Sequence, residues 1–233
     1  MMATGAFLAM VGALVAFWLA RQGVMRSPWL EEGVITDFPG AGPAPSAAKI
    51  GLGVFLGVAS CLFALLASAY FMRMAGRDWQ APPAPGILWF NTGVLIASSL
   101  ALHLAQSAAK RGEMERVRAG LIAGGVCAVV FLAGQFWAWR ELSAQGYFLA
   151  SNPANAFFYL LTAIHAAHLL GGLAALAWTG AEAWRPSSIE RVRENTELCA
   201  IYWHFLLFIW FALFAMLTGW TNELGVICRR ILS

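Results

Sequence analysis

The run Phe157-Phe158-Tyr159-Leu160-Leu161-Thr162-Ala163-Ile164-His165-Ala166-Ala167-His168-Leu169-Leu170-Gly171-Gly172 carries two histidines and no Asp, Glu, Lys or Arg. After a short charged linker a second apolar run opens Glu197-Leu198-Cys199-Ala200-Ile201-Tyr202-Trp203-His204-Phe205 and continues to Trp210. These two runs hold three of the four histidines in the chain. A helix crosses about 30 Å of hydrocarbon with about 20 apolar residues, so both runs read as membrane spans. The question they raise is what imidazoles do in such surroundings.

The rest of the chain supports a membrane reading. Its 233 residues are 60% hydrophobic and 12% charged, with a mean hydropathy of +0.68. Soluble domains carry about 25% charged residues. A net charge of +3 calls for no nucleic acid, and no basic run with interleaved aromatics is present. Six stretches qualify as spans: residues 4–20, 50–72, 86–103, 118–139, 154–178 and 198–220. No Lys or Arg precedes the first apolar run and Arg21 follows it, so it reads as a retained transmembrane helix rather than a cleaved signal. Residues 23–48, with Pro28, Pro39, Pro43 and Pro45, read as an irregular linker. Residues 76–85, with Pro82, Pro83 and Pro85, read as a turn.

Of the 15 Lys and Arg, Arg73, Arg77, Arg140, Arg229 and Arg230 fall on one side of these spans and the rest on the other. The positive-inside rule then puts the richer side in the cytoplasm and both termini outside. Trp18, Trp89, Trp139, Trp178, Trp203 and Trp220 fall near the ends of the spans, the level tryptophan favours in a bilayer. Gly53 and Gly57, and Gly120 and Gly124, stand four residues apart, a spacing that lets helices approach closely. With Gly171 and Gly172 they are candidates for helix packing.

Ionisable groups within a span are functional candidates. No Asp or Glu lies at mid-span, which argues against a proton-coupled transporter. His165 and His168, three residues apart, lie on one side of a helix. With His204 they could form a haem, copper or zinc site. The alternative is that each ring bonds a carbonyl, a hydroxyl or a headgroup. His165 and His168 fall near the middle of their span and His204 near the end of the next, which argues against convergence. Asn91, Thr92, Ser98, Ser99 and Gln135 suit interhelical hydrogen bonds, worth roughly 1 kcal/mol each. Cys61, Cys127, Cys199 and Cys228 form no CxxC pattern and read as small hydrophobes.

The paired histidines with Gly171-Gly172, followed by Glu197 and Tyr202-Trp203-His204-Phe205, resemble subunit III of the haem-copper oxidases (cytochrome c oxidase subunit 3). Lys49-x-Gly51, Ser68-Ala69-Tyr70-Phe71, Trp89-x-Asn91-Thr92, Ser98-Ser99 and Phe131-Leu132-x-Gly134-Gln135 agree with it. The resemblance covers about residues 49–220 and implies an all-α integral membrane bundle of five core helices; with the first apolar run the expected fold has six transmembrane helices. A five-helix core over 49–233 would follow an N-terminal helix at 1–22 and a cytoplasmic linker at 23–48. It implies a non-catalytic subunit of an oxidoreductase and translocase complex, with no catalytic, cofactor or metal residues of its own. Haem and copper would lie on partner subunits I and II. The subunit would stabilise the catalytic subunit in a bacterial plasma membrane, bind phospholipid, and support proton uptake and sustained turnover. Arg73, His165, His168, Trp203 and His204 are the candidates for lipid or interhelix polar contacts. The family usually has acids where this chain has Ala59, Ala138 and Leu207, and glycines at Ala163 and Ala166. Loss of those acids would suit an accessory subunit of a nitric oxide reductase; a small transporter or a membrane cytochrome b is a further reading.

Overall fold

The computed structural model describes residues 46–185 and 189–219. Among these residues all regular structure is α-helix: α1 (Ala47–Arg73), α2 (Ile87–Arg111), α3 (Met114–Ala144), α4 (Pro153–Trp184) and α5 (Ile189–Leu217). Each is long and apolar enough to cross a membrane. The expected span at 4–20 and nearly all of the linker lie outside the described residues.

Most helix ends outrun the expected spans, although α5 closes at Leu217, short of the expected 220. Apolar stretches end at the first charged residue, but helices do not, because Lys, Arg and Glu are good helix formers. Lys110 and Arg111 therefore close α2 from within. Much of the charged linker before Leu198 is helix, since α5 begins at Ile189. Only Gly112 and Glu113 separate α2 from α3. Gly112 takes φ 74°, and its N–H reaches back to the Ala108 and Ala109 carbonyls, a left-handed cap that suits glycine. Arg111 Nε and Arg116 Nη1 donate to the Glu113 carboxylate at 2.8 and 2.7 Å. The Arg111 hydrogen bond above all holds that carboxyl below its ordinary pKa. Its contribution is full above the ordinary carboxylate range and is lost as pH falls through the lowered value.

The chain forms two compact units, residues 1–68 and 69–233. In the first, Ser46 caps α1: its Oγ accepts from the Lys49 N–H at 3.4 Å. Val54, Val58 and Leu65 are exposed on α1, as lipid-facing positions are. In the second, α2 packs on α3 and α5, and α4 packs on the same two helices, closing a four-helix ring. Leu95, Leu102, Phe131, Leu161, Leu169, Leu206 and Trp210 fill its centre. Asn152 caps α4, its side chain accepting from the Ala154 N–H at 2.8 Å, with Pro153 at the first helical position.

Small residues set the closest approaches. A Cβ on Gly120 would stand 2.7 Å from the Ala105 Cβ, and one on Gly124 2.9 Å from Leu102 Cγ. A Cβ on Gly172 would stand 2.5 Å from the Tyr202 ring and 3.0 Å from Trp203. Gly57 and Gly171 face open space. Gly172→Ala should therefore cost about 1–3 kcal/mol through overpacking. Gly171→Ala, one residue away, should stay within about 0.5 kcal/mol of the parent. Thermal unfolding of both variants in detergent checks this; equal losses would refute the close α4–α5 approach as the cause.

Candidate functional site

The four histidines divide into separate environments. His165 on α4 is fully buried, against Phe131 of α3 (ring centroids 5.8 Å) and Trp210 of α5 (5.3 Å). His168, one turn on, is half-buried, with Nδ1 2.8 Å from the Ile164 carbonyl of its own helix. Its backbone carbonyl accepts from the Tyr202 hydroxyl at 2.8 Å, tying α4 to α5. His204 lies on the outside of the α2–α5 seam, where Nδ1 meets Ser99 Oγ at 2.8 Å. Its ring stacks on His103 of α2, at 5.6 Å between centroids. His165, His168 and His204 are not gathered as ligands: among the described residues no three His, Cys, Asp or Glu side chains group to hold a metal.

Indole N–H groups organise the interior. Trp210 donates to Thr92 Oγ1 at 2.9 Å, and that hydroxyl donates to the Leu88 carbonyl at 2.8 Å. Trp203 donates to Ser98 Oγ at 2.8 Å, and Ser98 donates across to the Gly124 carbonyl of α3 at 2.7 Å. Trp139 donates to Thr162 Oγ1 at 3.0 Å, which donates to the Phe158 carbonyl at 2.7 Å. Each hydroxyl uses one lone pair and its single proton, so one small side chain links an indole to a backbone carbonyl.

Trp203 departs from its expected place near a helix end. It is 0% exposed, 14 residues beyond Ile189, because α5 starts before the apolar run does. All five small polar residues read as interhelical take part in such bonds: Asn91 Nδ2 also donates to Gln135 Oε1 at 3.2 Å. The Asn91 carboxamide occupies the space a Cβ on Gly134 would need, which explains a glycine beside Gln135. The sequence reading did not foresee the roles of Tyr202, Thr162 and His103, since each depends on which helices are neighbours. Arg118 was also missed: its Nε caps the Ala183 carbonyl at 3.0 Å and its guanidinium lies 5.7 Å from the Trp184 ring.

Arg73, the remaining polar candidate, ends α1 and pairs with Asp78 in the following turn through both guanidinium nitrogens. Arg73's hydrogen bonding is the largest cause holding the exposed Asp78 carboxyl below its ordinary pKa. Beside this pair, Tyr70 packs edge-on against Trp79 and Phe157, at 4.9 and 5.8 Å. Its hydroxyl donates to the Met216 carbonyl at 3.3 Å.

Five membrane-length helices, four of them closed around neutral hydrogen bonds, define the class: a multi-pass helical membrane protein. A family model described as cytochrome c oxidase subunit III matches residues 81–222. A probable cytochrome c oxidase subunit 3 of Mycobacterium bovis is 31% identical over 182 residues, covering 74% of this chain and 88% of its own. Cytochrome c oxidase subunit 3 of Thermostichus vulcanus is 29% identical over 178 residues, covering 74% and 87%. That of Synechocystis sp. is 26% identical, covering 74% and 75%. The chain belongs to the cytochrome c oxidase subunit III family.

Thr92→Val keeps the shape of the side chain and removes the acceptor of a buried indole. We expect it to destabilise the bundle by about 1–3 kcal/mol, the cost of an orphaned donor. Thr92→Ser, which keeps the hydroxyl, should cost less than about 1.5 kcal/mol. Unfolding of the two variants in mixed micelles separates them, and equal destabilisation would refute the hydrogen-bond account.

Proposed function

We propose that the chain is the non-catalytic subunit III of a respiratory haem-copper oxidase in a bacterial plasma membrane. In this reading it stabilises catalytic subunit I, stands in a complex with subunits I and II, binds phospholipid, and supports proton uptake and sustained turnover. The observation that carries the reading is the family relationship, which extends over 88% of a relative named as this subunit. The interior supports it too. Its polar groups link helices to one another, as in a protein whose task is to hold a shape. The six-helix count, the external termini and the division into 1–22, 23–48 and 49–233 belong to the same proposal, on hydropathy and the charge count. So do the lipid or interhelix roles of Arg73, His165, His168, Trp203 and His204, and the packing roles of Gly53, Gly57 and Gly171, for the last two against helices of a partner.

A second reading, an accessory subunit of a nitric oxide reductase, is favoured by one feature. Ala59, Ala138 and Leu207 stand where the family usually has acids, and a partner that does not pump protons has less need of them.

Purification of the tagged chain from its host membrane in mild detergent tests both. The expected companions are a haem-bearing large subunit and a copper-bearing one, in a complex that consumes oxygen. A complex that reduces nitric oxide and not oxygen would establish the second reading instead. His204→Ala should shorten the oxidase's active lifetime several-fold while the initial rate and haem spectrum stay unchanged. A Soret band from the chain expressed alone would overturn the non-catalytic reading.

A further inference from the structure

His103 and His204 are both exposed, on neighbouring helices α2 and α5, with rings 5.6 Å apart and inclined by 26°. His204 is 7 residues from Glu197, the last charged residue of α5 before the apolar run, and His103 is 7 from Lys110. At 1.5 Å per residue each imidazole lies about 10 Å inside the charged end of its helix. That is hydrocarbon depth. A Lys or Arg could reach the headgroups from there along its flexible stem, but an imidazole has no such stem. A phospholipid headgroup is therefore not the natural partner at this level.

The other exposed faces are of the ordinary lipid-facing kind. Val126 and Val129 on α3 and Leu170 on α4 are all outward and aliphatic. A neutral imidazole carries one N–H donor and one acceptor, and leaving such groups in hydrocarbon costs several kcal/mol. Ser99 occupies only Nδ1 of His204, so Nε2 is the ring nitrogen that remains. The described spans supply no carboxylate at this depth. Glu190, Glu194 and Glu197 lie in the first turns of α5, and Glu113 and Glu115 at the start of α3. Lys110, two turns from His103, adds positive charge on the same side of α2. The seam thus sets two imidazoles on the side of α2 that carries Lys110, and no carboxylate among the described residues complements it at this depth.

We propose that the α2–α5 seam at His103 and His204 receives a transmembrane helix of another subunit, which presents an Asp or Glu side chain to the two imidazoles. A carboxylate has two acceptor oxygens and makes short, charge-assisted bonds, so one residue can serve both rings. The inference rests on the reading of the chain as a subunit of a larger complex, and it names the face and the chemistry of that contact.

The test uses the intact complex with a benzophenone amino acid at Leu100, an exposed position one turn from His103, or at Val126 on the opposite side as a control. After irradiation, mass spectrometry locates the adducts. The Leu100 probe should join a transmembrane helix of a co-purifying subunit, within about one helical turn, 5.4 Å, of an Asp or Glu. Replacing that acid by Leu, or making His103→Leu with His204→Leu, should cut the yield several-fold, while the Val126 adducts stay unchanged. Adducts to lipid, to residues 1–45 of this chain, to a second copy, or to a helix without an acid at that level would overturn the proposal. Failure of the chain to co-purify with an oxidase overturns the subunit reading as well. Intact co-purification with the wrong adduct overturns the docking site alone.

Discussion

Hydrocarbon offers no hydrogen bonds, and the architecture answers that constraint at the tryptophans. An indole N–H left unmatched in the interior would cost more than most single contacts return. Trp203, Trp210 and Trp139 each end on a serine or threonine, and each of those hydroxyls passes its own proton to a backbone carbonyl. Ser98 is the most consequential of them, because one oxygen accepts from α5 while its hydrogen binds α3. Three helices thereby share a single atom, and their relative rotation is set with it. The glycines at 120, 124 and 172 work to the same end by letting these short bonds form across closely spaced backbones.

Much of this architecture can be read in the residues, and the places where it cannot are instructive. The five described spans follow from hydropathy. Their ends do not, because a charged residue stops an apolar count without stopping a helix. That error put Trp203 and His204 near the start of their helix, although α5 begins 14 residues before Trp203. Residues such as Ser98 and Asn91 were legible as interhelical because small polar groups within a span need partners. Which partners they take was not legible. His103 and His204 meet only because α2 and α5, separated by two intervening helices in the chain, are neighbours in the ring. His165 and His168 share a side of α4 by spacing, yet one ring is in the core and the other near the rim, since three residues turn a helix only about 300°.

The absence of acids at Ala59, Ala138 and Leu207 fits the character of the bundle. Its interhelical links at Trp203, Trp210, Trp139 and Asn91 are carried by indoles, hydroxyls, carboxamides and carbonyls, groups that keep their charge state across the physiological range. Among the described residues charge is confined to the ends of the helices and the turns between them, where Arg111 and Arg116 pair with Glu113 and Arg118 with Glu115.

The two-residue connection at Gly112 and Glu113 also sets the entropic cost of the contacts around the ring. Helices of 25 and 31 residues joined by so short a turn are antiparallel partners from the moment both exist. Closing that contact costs almost no chain entropy, whereas bringing α5 back to α2 requires closing a loop of most of the bundle. The α2–α3 hairpin is thus the cheapest contact of the ring to close, and the seating of Trp203 and Trp210 on it is the contact of longest range.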